Sequence, residues 1–310
     1  MKLKNPNLKN PYLMLSKLSL ALKLYTNSSN NYLKTRNLKN LINYLIFLIT
    51  RTFLFIKIKY KKKKKFTAII KNQKFTFNDK NSQFHSIYDN KFKLFYEPEV
   101  KLCFEKFLKN KQGAFVDIGS NWGHHSFDAI LNYNSTCYAF EPNPMCFADL
   151  IRICDELKLQ QKLKAFQVAL TERDKIFTLN QKYYESGLST MSENFEVLKQ
   201  FYHLEKIKNF LKLNDLKFNV KCSRLDDIKI KNINLIKIDA EGSEFDVLLG
   251  SVNTIKQNLC PVIFEFDTNN SISEFEKYIS YFSKFNYKIK FMVKEFFDDK
   301  LIINFYNPDE

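Results

Sequence analysis

Val116-Asp117-Ile118-Gly119-Ser120-Asn121-Trp122-Gly123 reads as the end of a buried strand that enters a glycine turn and then a helix. Glycines at 119 and 123 let the backbone pass close to a ligand and start a helix whose first amides face it. The stretch is not a dinucleotide fingerprint, because Asn121 stands where GxGxxG needs a glycine, and it lacks the Lys of a P-loop. One strand later, Phe140-Glu141-Pro142-Asn143-Pro144 carries an acid able to accept both hydroxyls of an adenosine ribose. A carboxylate at Asp117 repels a pyrophosphate and suits a cofactor carrying an ammonium and a sulfonium. Alone, either acid reads equally well as a helix cap or a surface charge. On consecutive strand ends the two point to a nucleoside site.

Working outward, residues 74–78 and 92–96 alternate as short strands, and residues 99–109 have the helical spacing of Val100, Cys103, Phe104 and Phe107. Strands at 114–118 and 136–140 are followed by helices at 126–133 and 144–157. Further strands are predicted at 163–170, 175–180 and 220–223. Residues 235–238 form a short apolar strand leading into one helix over 243–256. A strand at 261–266, a helix at 273–285 and strands at 287–293 and 301–306 complete the pattern. Such alternation implies an α/β sheet with helices on both faces, whose ligands bind beyond the C-terminal strand ends. Asp117, Glu141 and Asp239 each fall at such an end.

Composition divides the chain in two. Its 310 residues, 45% hydrophobic and 15% aromatic, suffice for one substantial core and exclude a disordered protein. The net charge of +16 is not spread over that core. Residues 1–66 hold 14 Lys, two Arg and no acid, which leaves 33 basic against 33 acidic residues from Thr67 onward. The neutral remainder lacks a basic stripe and argues against a nucleic-acid partner. Within the extension, residues 41–56 are apolar but interrupted by Arg51, and fall short of the roughly 20 residues of a membrane span. With the lysine run 61–65, they fit peripheral contact with an anionic membrane, or simply a solvated basic segment in a chain rich in Lys and Asn. No secretory signal is evident, and six cysteines without a CxxC pair read as reduced core residues, so a cytoplasmic setting is expected.

The segments Phe95-Tyr96-Glu97-Pro98-Glu99-Val100, Phe115 to Gly123, Ala139 to Pro144, Leu225-Asp226 and Ile236-Lys237-Ile238-Asp239-Ala240-Glu241-Gly242-Ser243-Glu244-Phe245, followed by Leu248-Leu249-Gly250, resemble in order the signatures of FkbM-type methyltransferases. The resemblance spans Tyr96 to Phe266 and leaves residues 1–66 outside. It implies a class I, Rossmann-like fold with a mostly parallel seven-stranded sheet over residues 67–310. It also implies S-adenosyl-L-methionine as cofactor and methylation of a hydroxyl on a sugar, a glycan, a lipid-linked sugar or a related metabolite. By the same resemblance Asp117, Gly119, Ser120, Asn121 and Gly123 cradle the methionine part of the cofactor, and Glu141 holds its ribose. Asp239, Glu241 and Glu244 are then expected at the mouth of the active site. Trp122 and the His124-His125 pair depart from the family pattern and bear on the shape of the substrate entrance.

Methyl transfer rests mainly on positioning two reactants, and a base helps when the nucleophile is an alcohol. Asp239 and Glu241 are the candidate catalytic residues, with Asp239 also touching the cofactor; His124 or His125 is an alternative base. Asp239 with Glu265 or Asp267 offers oxygen ligands to a divalent metal, but no third ligand is evident and no metal is assigned. Ser186-Gly187-Leu188-Ser189-Thr190-Met191 looks like a loop over the cofactor or substrate. Two rival functions remain at this level: an RNA-directed methyltransferase, and a membrane-docked module that binds the cofactor without catalysis.

Overall fold

A computed structural model describes residues 65–78, 97–182, 185–190, 216–267, 270–294 and 300–308. Of the basic extension only Lys65 and Phe66 are included, and the strand expected at 92–96 lies outside the described residues. Strands β1 (Lys65–Ile70) and β2 (Gln73–Asn78) form an antiparallel hairpin. Helix α1 (Pro98–Phe107) leads into β3 (Ala114–Ile118), α2 (His124–Tyr133), β4 (Thr136–Phe140), α3 (Pro144–Glu156) and β5 (Leu163–Phe166). Then come the short β6 (Ala169–Leu170), the strands β7 (Ile176–Lys182), β8 (Glu185–Thr190) and β9 (Leu216–Ser223), and the single turn α4 (Leu225–Ile228). The chain returns through β10 (Ile233–Ile238), α5 (Glu244–Leu249), α6 (Val252–Asn258), β11 (Val262–Asp267), α7 (Ile272–Ser283), β12 (Lys288–Lys294) and β13 (Lys300–Tyr306).

Seven strands pair in the order β12-β13-β11-β10-β3-β4-β5, and β13 alone runs against the rest. This is the mostly parallel seven-stranded sheet of a class I methyltransferase. Its central strands are apolar on both faces because both are covered. Phe115, Cys137, Ala139, Leu235 and Ile263 pack beneath α1, α2, α3 and the β1–β2 hairpin. Their alternating neighbours Val116, Ile118, Phe140, Ile236, Ile238 and Phe264 pack against α4 to α7. The hairpin is tied to α3, where Glu156 accepts from the Thr76 amide and hydroxyl and Arg152 donates to the Thr76 carbonyl. From β3 the chain builds outward to β5, then crosses back to β10 and builds the other way, so the strand order reverses between β3 and β10. That reversal opens the crevice in which such sheets bind ligands.

Three predicted elements differ. The single strand over 163–170 divides, since β6 leaves the main sheet to pair with β9 in a second sheet ordered β6-β9-β7-β8. The helix over 243–256 breaks at Gly250-Ser251. A Cβ on Gly250 would stand 2.1 Å from the Thr171 carbonyl oxygen, and Asp226 accepts the Asn253 and Thr254 amides at 3.1 and 2.8 Å, which starts a new helix. The expected loop at 186–191 is strand β8 as far as Thr190, paired antiparallel with β7, and Met191 lies outside the described residues. Among the described residues no helix is long and apolar enough to cross a membrane.

Candidate active site

The candidate residues stand at the ends of β3, β4 and β10. Gly119 and Ser120 both donate their amides to the Phe140 carbonyl at 3.0 Å, which holds the first turn against β4. Gly119 has φ +77°, and a Cβ there would lie 1.7 Å from the Asp239 carbonyl oxygen, so only glycine lets the ends of β3 and β10 meet. Asn121 is also left-handed (φ 51°), and Gly123 (φ 94°) precedes the first residue of α2.

Asp117 is fully buried. Its Oδ2 accepts the Ser126 hydroxyl of α2 at 2.6 Å, whereas Oδ1, equally shielded, has no hydrogen-bond partner among the described residues. The Ser120 hydroxyl, in a residue 6% exposed, is likewise buried and unpaired. An unpaired buried acceptor costs about 1–3 kcal/mol, and a ligand that supplies a donor removes that cost. Glu141 accepts the Asn121 amide on Oε2 and the Asn143 amide on Oε1, each at 2.7 Å. Burial pushes its carboxyl up to about 7, with Asp239 and Asp117 adding to the rise and the two amides opposing it. Each carboxylate oxygen retains a further lone pair, enough for two ribose hydroxyls.

Asp239 is partly exposed at the end of β10, where its Oδ2 meets Lys237 Nζ at 2.9 Å. Lys237 is 2% exposed. Its burial disfavours the ammonium, but Asp239, Glu97, Asp117 and Glu265 outweigh that and hold the pKa above the ordinary lysine value. Glu241 is left-handed (φ 46°) and half-buried beside Asp239. Glu244, expected at the mouth of the site, is 7% exposed and folds back to accept the Ala240 and Gly242 amides at 3.0 and 3.1 Å. Desolvation raises its carboxyl too. Its role is to shape the turn that presents Asp239 and Glu241.

His124 and His125 open α2. Both ring nitrogens of His124 are shielded from solvent, and desolvation, aided by His125, holds its imidazole well below the usual range, hence neutral. His125 Nε2 lies 2.6 Å from Glu97 Oε2, joining α2 to the start of α1. Trp122 is 1% exposed, with its ring 5.5 Å from that of His124. The residues that depart from the family pattern are thus packed within the domain. Among the described residues no three His, Cys, Asp or Glu side chains gather to hold a metal ion. Asp226, part of the Leu225-Asp226 signature, caps α6 and receives Arg224 at 3.0 Å.

Asp117, Glu141 and Asp239 stand at the C-terminal ends of the neighbouring strands β3, β4 and β10, near enough for Asp239 and Asp117 both to raise the Glu141 carboxyl. Three features of this environment lie outside the sequence reading: Lys237 beside Asp239, the Glu97–His125 pair, and Asn143 as a partner of Glu141. Lys237 carried a signal, since a lysine between isoleucines in an otherwise apolar strand needs an internal counter-charge. The other two depend on contacts between residues distant in sequence.

The sheet order, the glycine turn and the acid closing the next strand define a class I methyltransferase architecture. A family model described as the methyltransferase FkbM domain matches residues 117–289, and the chain belongs to that family. It is 28% identical over 193 residues to Methyltransferase 1 of Beauveria bassiana, covering 56% of this chain and 76% of that protein. Among solved structures it is similar to methyltransferase FkbM from Methylobacillus flagellatus, with 16% identity, TM-score 0.47 and 73% of this chain covered. The chain spans about half, 52%, of that structure's length. It is also similar to M. capricolum TrmK in complex with S-adenosyl-homocysteine, with 15% identity, TM-score 0.40, and coverage of 69% of this chain and 70% of that one.

Proposed function

We propose that the chain is an S-adenosyl-L-methionine-dependent O-methyltransferase that acts on a hydroxyl of a sugar, glycan or lipid-linked sugar. The observation that carries this reading is the unpaired, buried Asp117 Oδ1 beside the Gly119 turn, one strand from Glu141. The residues present fit the cofactor. Asp117 offers a buried anionic acceptor to an ammonium, Ser120 an unused hydroxyl, and Glu141 two oxygens to the ribose. When bound, the cofactor supplies an electrophilic methyl group on a cationic sulfur.

The chain's own work is mostly positioning, which can contribute several kcal/mol through effective molarity, roughly 7–11 at its best. Asp239, fixed from below by Lys237, accepts the hydrogen of the acceptor hydroxyl, and Glu241 orients the acceptor from the adjoining turn. The basic residues 1–66 fit attachment to the inner face of an anionic membrane, where a cytoplasmic enzyme meets lipid-linked sugars.

The test is incubation of the full chain with methyl-labelled S-adenosyl-L-methionine and a cell extract of glycans and lipid-linked sugars. The expected label is an alkali-stable methyl ether on sugar, and Asp239→Asn should lower its rate about 100-fold, more than it lowers cofactor affinity. Label recovered in RNA, or as an alkali-labile ester, would contradict the assignment.

A further inference from the structure

Asn143 sits between the two sheets. It is fully buried at the start of α3, its backbone amide donates to Glu141 Oε1 at 2.7 Å, and its side-chain oxygen caps α3 through the Met145 amide at 2.9 Å. Its remaining group, Nδ2, donates to Gln181 Oε1 at 2.5 Å. Gln181 is 5% exposed on β7, a strand of the second sheet, and shares a face with Leu179, which is buried in that sheet's small core. The pairing of β7 with β8 slips in register between Gln181 and Lys182, immediately after the pair Gln181 and Ser189. Such irregularities re-aim a side chain and occur beside functional sites. Two buried amides are a costly way to join two sheets when apolar contact would serve, but unlike apolar contact they fix a direction.

We propose that Gln181 is a positioning residue for the cofactor site: by holding Asn143 it fixes an amide that Glu141 accepts, and it seats the β7–β8 hairpin against the ribose end of the crevice. The inference rests on the reading that Glu141 receives the ribose. It gives the Ser186-Gly187-Leu188-Ser189-Thr190 strand a place in the mechanism, since Ser189 is the register partner of Gln181. Cofactor occupancy and seating of that hairpin are then coupled through one hydrogen bond, and each stabilises the other.

The test compares the full-length parent with Gln181→Met, Asn143→Ser and the double variant. Asn143→Ser keeps an oxygen to cap α3 but is too short to reach Gln181. Calorimetric titration with S-adenosyl-L-methionine should show a three- to tenfold loss of affinity in each single variant. The double variant should lose no more than the weaker single, because one link is broken in all three. Hydrogen exchange over residues 176–190 should slow when the parent binds S-adenosyl-L-methionine, and slow less in the variants. Unchanged affinities, additive losses, or parental exchange indifferent to S-adenosyl-L-methionine would each overturn the proposal. A parent that binds no S-adenosyl-L-methionine would instead overturn the functional reading beneath it. The parental exchange experiment stays decisive even if a variant fails to fold.

Discussion

The turns that follow β3 and β10 are built alike and used differently. In each, a buried glutamate accepts two backbone amides, Asn121 and Asn143 for Glu141, Ala240 and Gly242 for Glu244. In the second turn the carboxylate belongs to the helix that the turn begins, so the loop is closed within a few residues. In the first it comes from the neighbouring strand and grips both the β3 turn and the start of α3. There the clasp leaves Asp117 Oδ1 and the Ser120 hydroxyl unpaired. A self-contained turn is a fixed support, whereas a clasp across strands with acceptors to spare is where a ligand completes the structure.

The largest effect expected from disturbing this pair is Gly119→Ala. Its Cβ would lie 1.7 Å from the Asp239 carbonyl at a left-handed backbone position, so the strand ends must separate. A loss of more than about 4 kcal/mol is expected, seen as a collapse of the denaturation midpoint; a parental midpoint would show that the turns do not touch.

Next comes the contrast between the two glutamates. Glu141→Ala should weaken S-adenosyl-L-methionine binding about 100-fold, close to 3 kcal/mol, whereas Glu244→Ala should cost about 2 kcal/mol of stability with affinity within about fivefold. Calorimetry and denaturation on both variants separate the roles, and equal effects on affinity would erase the distinction.

A pH series sharpens the same contrast. The Glu141 carboxyl is raised by burial from 4.5 to about 7, so between those values the folded chain keeps a proton that the unfolded chain releases. Its contribution to stability is present at acid pH and lost as pH rises through 7. Glu244 is raised as well, and Glu141→Gln should flatten, though not abolish, the fall in melting temperature of the ligand-free chain between pH 4.5 and about 7. An unaltered slope would contradict the burial argument.

The smallest effect belongs to Gly242→Ala. Its φ is +96°, but a Cβ there meets nothing within 4 Å, leaving only backbone strain of about 1–2 kcal/mol.

The same contrast explains what could be read from the amino-acid order. Strands β3 and β4 are legible to the residue, because continuous apolar runs stop at Asp117 and Glu141 or just short of them. Glu141 and Asp239 are legible as the residues that follow the apolar ends of β4 and β10, and Asp117 as the one acid within β3. The break between α5 and α6 is not, since Asp226, some 27 residues upstream, supplies the cap. Strand β8 has no alternating pattern of its own and exists through its pairing with β7. Glu244 is expected at the mouth of the site by resemblance, and only the loop folding over it reveals a buried support. Asn143 caps α3, while its bond to Gln181 spans 38 residues and leaves no local trace.

The most direct test of the cross-strand clasp is a crystal structure of the full chain with S-adenosylhomocysteine bound. The ribose hydroxyls should lie within hydrogen-bond distance of Glu141, with the amino group of the ligand toward Asp117 Oδ1. A ligand seated away from the ends of β3 and β4, or one that leaves Asp117 Oδ1 unpaired, would contradict it.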